Sequence, residues 1–139
     1  MKTKTLELKD ICGYMPYGLM QKHYKNVCPF AVEIQSHIGG YVFLKIPFRH
    51  GKPLLRPMSD ITKEITHEGE RFVPIDVLND RGRFIEFDTA GLLYTVGGCM
   101  DSDWLMVLDK FHEWMFDYRG LISAGLAIDV NTLPENPYE

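Results

Sequence analysis

Residues 30–46 constrain the fold more tightly than any other stretch of the chain. Phe30, Val32 and Ile34 alternate with Ala31, Glu33 and Gln35, and a period of two sends successive side chains to opposite faces of a strand. Gly39 and Gly40 then offer the positive φ angles of a tight turn. Beyond them Val42, Leu44 and Ile46 alternate with Tyr41, Phe43 and Lys45. The pattern predicts a β-hairpin whose second strand is partly covered on both faces.

Around that hairpin the sequence alternates short β signals with helical ones. Leu6, Leu8 and Ile11, before Gly13 and Pro16, fit a short strand or one or two helical turns. Pro47, Pro53 and Pro57 delimit a basic loop, after which Ser59 is placed to cap a short helix carrying Ile61 and Ile65. His67-Glu68-Gly69-Glu70 and Asn79-Asp80-Arg81-Gly82 read as turns. Phe72-Val73-Pro74-Ile75 reads as a strand end, since proline cannot donate to a ladder. Residues 83–87 and 92–96 read as short strands. Trp104, Leu108, Phe111, Met115 and Tyr118 recur at helical spacing behind Asp101 or Ser102 as cap, predicting a helix over 102–118 that Gly120 stops. A short helical piece at Leu121 to Gly125 and an acidic tail with Pro134 and Pro137 complete the chain. The expected class is α+β: a small, mostly antiparallel sheet of hairpins packed against one long C-terminal helix and one or two short helices. Residues 1–133 are expected to form one domain and 134–139 to fray.

Composition narrows the setting. A hydrophobic fraction of 45% with 24% charged residues is too apolar for disorder, and 139 residues suit one core. No run approaches the roughly 20 apolar residues that cross a bilayer. Glu7, Lys9 and Asp10 stand where a signal peptide would be apolar, so a cytoplasmic, membrane-free protein is expected. Cys12, Cys28 and Cys99 are odd in number and widely spaced, which writes neither a disulfide framework nor a zinc knuckle; they read as reduced, semi-buried thiols. The net charge of −4 is uneven, with residues 1–70 at +3 and residues 71–139 at −7.

Most catalytic templates lack their residues. Neither a P-loop nor a G-x-G-x-x-G follows any strand signal, and Phe116 stands where a helical zinc protease needs its second histidine. Asp109 and His112 have the i, i+3 spacing of carboxylate-bridged metal bundles, with Glu113 and Asp117 on the same side, but a second such helix is missing and a solvated polar face is the simpler reading. Asp101-Ser102-Asp103 reads as capping rather than cation binding. Glu86 and Asp88, two apart in a strand, form an acid/base pair only if buried together. No flanking signature pairs a cysteine with one of the five histidines. No cofactor and no metal is expected, and an enzyme is the less favoured reading.

One constellation stands out. Arg49, His50, Lys52 and Arg56 gather three fixed positive charges and an imidazole in a Gly/Pro loop, and guanidinium forks suit phosphate groups. The alternative is a solvated connection between hairpin and helix. Separately, Lys52 to Ile65, Phe72-Val73-Pro74-Ile75-Asp76, and Gly120-Leu121-Ile122 with Gly125 to Asp129 together resemble a family of short proteins encoded in phages, prophages and genomes of gut Bacteroidetes. The resemblance spans about residues 5–133 and implies an origin without supplying an activity, cofactor or site residue. The reading that follows is a non-enzymatic binding or accessory protein of phage or prophage origin with a protein partner. A nucleic-acid-associated protein using residues 49–56 is the alternative, and a metal-dependent enzyme the third. Trp104, Trp114 and Phe116, on more than one side of the expected helix, point to a possible homodimer.

Overall fold

The computed structural model describes residues 5–46, 51–79, 85–87, 93–95 and 101–139. The first element is a single helical turn, α1 (Leu8–Ile11). The Glu7 amide opens it by donating to Asp10 Oδ2 at 3.0 Å, satisfying an amide that a helix start leaves orphaned. A 3₁₀ turn at Met15–Tyr17 then leads into a hairpin that the sequence does not announce, β1 (Met20–His23) and β2 (Asn26–Pro29). Next come β3 (Glu33–Ile38) and β4 (Tyr41–Lys45), the expected hairpin. Ile38 pairs with Tyr41 across a two-residue turn in which Gly39 and Gly40 have φ of 59° and 85°, the left-handed backbone that favours glycine.

The central sheet is built from distant pieces of chain. β5 (Lys52–Leu55) lies between β1, to which it is antiparallel, and β10 (Ile128–Asp129), to which it is parallel, giving the order β10-β5-β1-β2. Pro53, Leu54 and Leu55 are all buried, as a strand covered on both faces requires. Two further hairpins stand outside this sheet: β6 (Ile65–His67) with β7 (Glu70–Phe72), and β8 (Ile85–Phe87) with β9 (Leu93–Thr95). Helices α2 (Pro74–Leu78) and α3 (Asp101–Glu113) complete the mixed α and β architecture.

Two apolar clusters hold these elements. One gathers Ile11, Tyr14, Leu19, Phe30, Leu54, Leu55, Leu121, Val130 and Tyr138 around the sheet. The other packs Ile61, Ile65, Leu78, Val107, Phe111, Trp114 and Phe116 beneath α3. Full burial of each such large aliphatic or aromatic side chain contributes about 1.5–3 kcal/mol. Trp114 and Phe116 spend their surface inside this second cluster and Trp104 packs against it, so the aromatic residues that suggested self-association serve the chain's own core.

Several expectations are corrected, each for a physical reason. The long C-terminal helix over 102–118 is instead a 13-residue helix that stops at Glu113. Met115 adopts φ of 63°, the Met115 amide donates to the His112 carbonyl at 3.2 Å, and the Phe116 amide reaches back to the Phe111 carbonyl at 2.9 Å; these bonds form a Schellman stop without glycine. The freed backbone then pairs with the end of β5, as the Arg56 amide donates to the Met115 carbonyl at 2.6 Å and the Asp117 amide to the Arg56 carbonyl at 2.8 Å. Strand pairing and full burial of Met115 outweigh the roughly 1–2 kcal/mol cost of its left-handed backbone. Downstream, Leu121–Gly125 is a series of turns. Pro74 opens α2, where its missing amide costs nothing, rather than ending a strand. Pro57, not Ser59, stands at the cap of the 3₁₀ turn Met58–Thr62.

The tail expected to fray carries a buried anchor. Tyr138 is 5% exposed, and its hydroxyl donates to the Leu54 carbonyl and accepts from the Met20 amide, both at 2.8 Å. Among the described residues no helix is long and apolar enough to cross a membrane.

Candidate functional site

The carboxylates and histidine proposed for α3 do not converge. Asp109 is exposed. His112 Nε2 lies 2.6 Å from the Tyr118 hydroxyl. Glu113 pairs with Lys110 at 2.9 Å. Asp117, beyond the helix stop, spends both carboxylate oxygens on the Leu121 and Ile122 amides at 2.7 and 2.9 Å. Among the described residues no group of three or more His, Cys, Asp or Glu side chains gathers as metal ligands would. Gly13 explains the His112 ring's position, because a Cβ there would stand 2.4 Å from it. Cys28 is a half-buried free thiol, whereas Cys12 is exposed rather than semi-buried, and Cys99 lies outside the described residues. Glu86 belongs to β8 while Asp88 is likewise outside them.

The basic constellation divides. Arg49 and His50 lie outside the described residues. Arg56 is 2% exposed and works as an internal tie. Its Nε donates to the Trp114 carbonyl at 3.1 Å, and its Nη2 donates to the Thr66 carbonyl at 2.9 Å and lies 3.3 Å from His67 Nδ1. One guanidinium thus joins the end of β5 to β6 and to the helix stop. Burial pushes its pKa down, opposed by the charges of Asp60 and Glu139.

His67 completes this tie as a neutral ring, accepting from Arg56 and meeting the Glu113 backbone carbonyl. Burial, then the Arg56 charge, lowers its pKa, and burial also lowers that of His112. In the unfolded chain both titrate near about 6.5. Their contribution to stability is therefore complete above that value and lost as pH falls through it toward the lower folded values. The urea midpoint is expected to drop between about pH 7.5 and about pH 5. His67→Gln should flatten that dependence, and an unchanged slope in the variant would contradict this account of the ring.

Lys52 is exposed, and the register places it opposite a residue the sequence reading passed over. In the antiparallel pairing of β1 with β5, Lys22 faces Lys52, and on the other side of β1 it faces Val27 of β2. Paired positions share a face, so Val27, Lys22 and Lys52 form one row across three strands. Gln21, Cys28 and Pro53 form the next row on the opposite face. There the Gln21 amide donates to the Pro29 carbonyl, while its oxygen accepts from the Gly51 amide at 3.0 Å and holds β5 against β1. Like charges directly opposed on a sheet cost a few tenths to about 1 kcal/mol. The two lysines therefore sit where they weaken the sheet that carries them.

The turn joining β1 to β2 carries a second local cost. Tyr24 has φ of 57°, where a bulky side chain loses about 1–2 kcal/mol that glycine would not. The residue is nonetheless 79% exposed, and its ring lies against His23, with centroids 4.4 Å apart and planes at 42°. Beside the turn a groove of about 470 Å³ runs between Lys22, Tyr24, Lys25 and Val27 on one wall and Leu133, Pro134 and Glu135 on the other. Its composition is two amines, an aromatic ring, apolar walls and one carboxylate. The run Lys22-His23-Tyr24-Lys25, basic residues interleaved with aromatic ones, is the signal in the sequence that could have found it.

Comparison with protein-family models, with curated proteins and with solved structures finds no match to this chain.

Proposed function

We propose that the chain is a non-enzymatic binding protein of phage or prophage origin whose partner is a nucleic acid, held on the face formed by β1, β2 and β5. The observation that carries this reading is the register that opposes Lys22 to Lys52. Phosphates on that row would neutralise a repulsion that the folded chain bears alone, and Lys25 at the adjoining turn extends the charge into the groove. The resemblance of three sequence stretches to phage-encoded proteins supports the origin and says nothing of the partner.

The test is fluorescence anisotropy of labelled DNA and RNA oligonucleotides at increasing salt. Three lysine–phosphate contacts on a single strand predict that log K falls with log salt at a slope of about −2. The double variant Lys22→Ala/Lys52→Ala should lose about two thirds of that slope, while its urea midpoint stays level or rises because the opposed charges are gone. Absence of binding at about 50 mM salt, or binding indifferent to salt, would remove the reading. Binding only to vesicles of anionic lipid would replace the partner.

A further inference from the structure

Resting on the preceding reading of the β1–β2–β5 face, we propose that the tip of the first hairpin is a base-stacking platform: Tyr24, backed by His23, receives an unpaired nucleobase while phosphates lie along Lys22, Lys25 and Lys52. The ligand is then single-stranded, because a base already stacked within a duplex has no free face to offer.

Three observations converge. First, a tyrosine stands at a φ of 57°, in a turn where glycine, or the less strained asparagine, would cost less, and it is not held there by burial, being 79% exposed. Backbone strain that no packing explains is characteristic of functional positions. Second, the ring is braced: the His23 imidazole, 4.4 Å away, supports one side and leaves the rest to solvent. A braced ring loses less freedom on stacking than a swinging one. Third, the platform borders the groove that Lys22 and Lys25 line, so a nucleotide spans ring and amine without any rearrangement of the sheet. The apolar wall of Leu133 and Pro134 on the far side suits the body of a neighbouring base, and Glu135 disfavours a phosphate there. The groove is therefore polarised, with phosphates toward the lysines and bases toward the tip and the opposite wall.

The decisive substitution is Tyr24→Gly, because it separates function from folding in opposite directions. Glycine accepts the turn's backbone, so the thermal midpoint should rise by about 2–4 °C. Loss of the ring should weaken binding of a labelled oligothymidylate by about 5- to 150-fold, the range for one stacked base. Binding of inorganic polyphosphate, which has charge but no bases, should remain as in the native chain. Tyr24→Phe should bind oligothymidylate within about twofold of native, since the stacking face is retained, and native protein should prefer it to a duplex of the same length. Undiminished oligothymidylate binding by Tyr24→Gly would overturn the platform while leaving the lysine face intact. A fall in its thermal midpoint would show the tyrosine to be structural and overturn it as well. If the native chain binds neither oligothymidylate nor polyphosphate, the reading of the face itself is lost, and the platform with it.

Discussion

Replacing Arg56 with alanine should cost about 2–5 kcal/mol, read as a fall in the urea midpoint with an unchanged m-value. Arg56 is 2% exposed, and its guanidinium serves the Trp114 carbonyl, the Thr66 carbonyl and His67 Nδ1 at once. Truncation leaves these acceptors without their donor, each at about 1–3 kcal/mol if nothing replaces it, and empties a buried side-chain position. Natural domains are stable by only about 5–15 kcal/mol, so the loss is a large share of the total. Arg56→Lys keeps the charge, but one ammonium cannot span three acceptors set in a fork, and it should recover only part of the loss. A native midpoint in Arg56→Ala would show that the tie is dispensable. Loss of nucleic-acid binding in this variant must accordingly be read together with its fold, unlike loss in Lys22→Ala/Lys52→Ala.

Gly51→Ala is expected to cost about 2–4 kcal/mol through a steric mechanism. A Cβ at this position would stand 2.7 Å from the Lys22 carbonyl oxygen, 2.8 Å from Gln21 Oε1 and 2.9 Å from the His23 Cβ. The Gln21 side chain can retreat only by giving up the hydrogen bond it accepts from the Gly51 amide. The Lys22 carbonyl is backbone and retreats only if β1 moves away from β5. The variant should therefore open the pairing of Gln21 with Pro53 and of Lys22 with Lys52, and amide exchange in β1 should accelerate more than in β6 and β7. Uniform acceleration across the chain would argue against a local wedge. Because the same pairing sets the distance between the two opposed lysines, binding should weaken in this variant even where it remains folded.

The parts of the fold legible in the sequence are those whose signals are local. The hairpin of β3 and β4 is announced by alternation and a glycine pair, although β3 begins only at Glu33 and its register shifts between Ile34 and Ser36. Helix α3 follows from its apolar spacing, although Asp101 and Ser102, the expected caps, already belong to the helix. The end of α3 was not legible, because Met115 is a good helix former that leaves the helix only when its carbonyl and the Asp117 amide find Arg56. The hairpin of β1 and β2 escaped notice because Tyr24 and Lys25 occupy a turn that usually announces itself with Gly, Asn or Pro, and Met20 to His23 lacks apolar alternation. The site divides along the same line. Lys52 could be singled out by its charge and its loop-like neighbours, whereas its partner Lys22 emerges only from register. Arg56, with the same charge, is taken into the interior by acceptors on Thr66, His67 and Trp114, 10, 11 and 58 residues along the chain.

The anchoring of Tyr138 bears on how a chain of this design comes to be made. Its hydroxyl closes on Leu54 and Met20, 84 and 118 residues earlier in sequence, and β10 pairs with β5 across about half the chain. The N-terminal half, once it leaves the ribosome, can close β1, β2, β3 and β4, whose pairings are local. It must hold Leu54 and Leu55 without their partners until residues 128–138 emerge. Translation thus imposes an interval in which the apolar centre of the sheet is open to other chains.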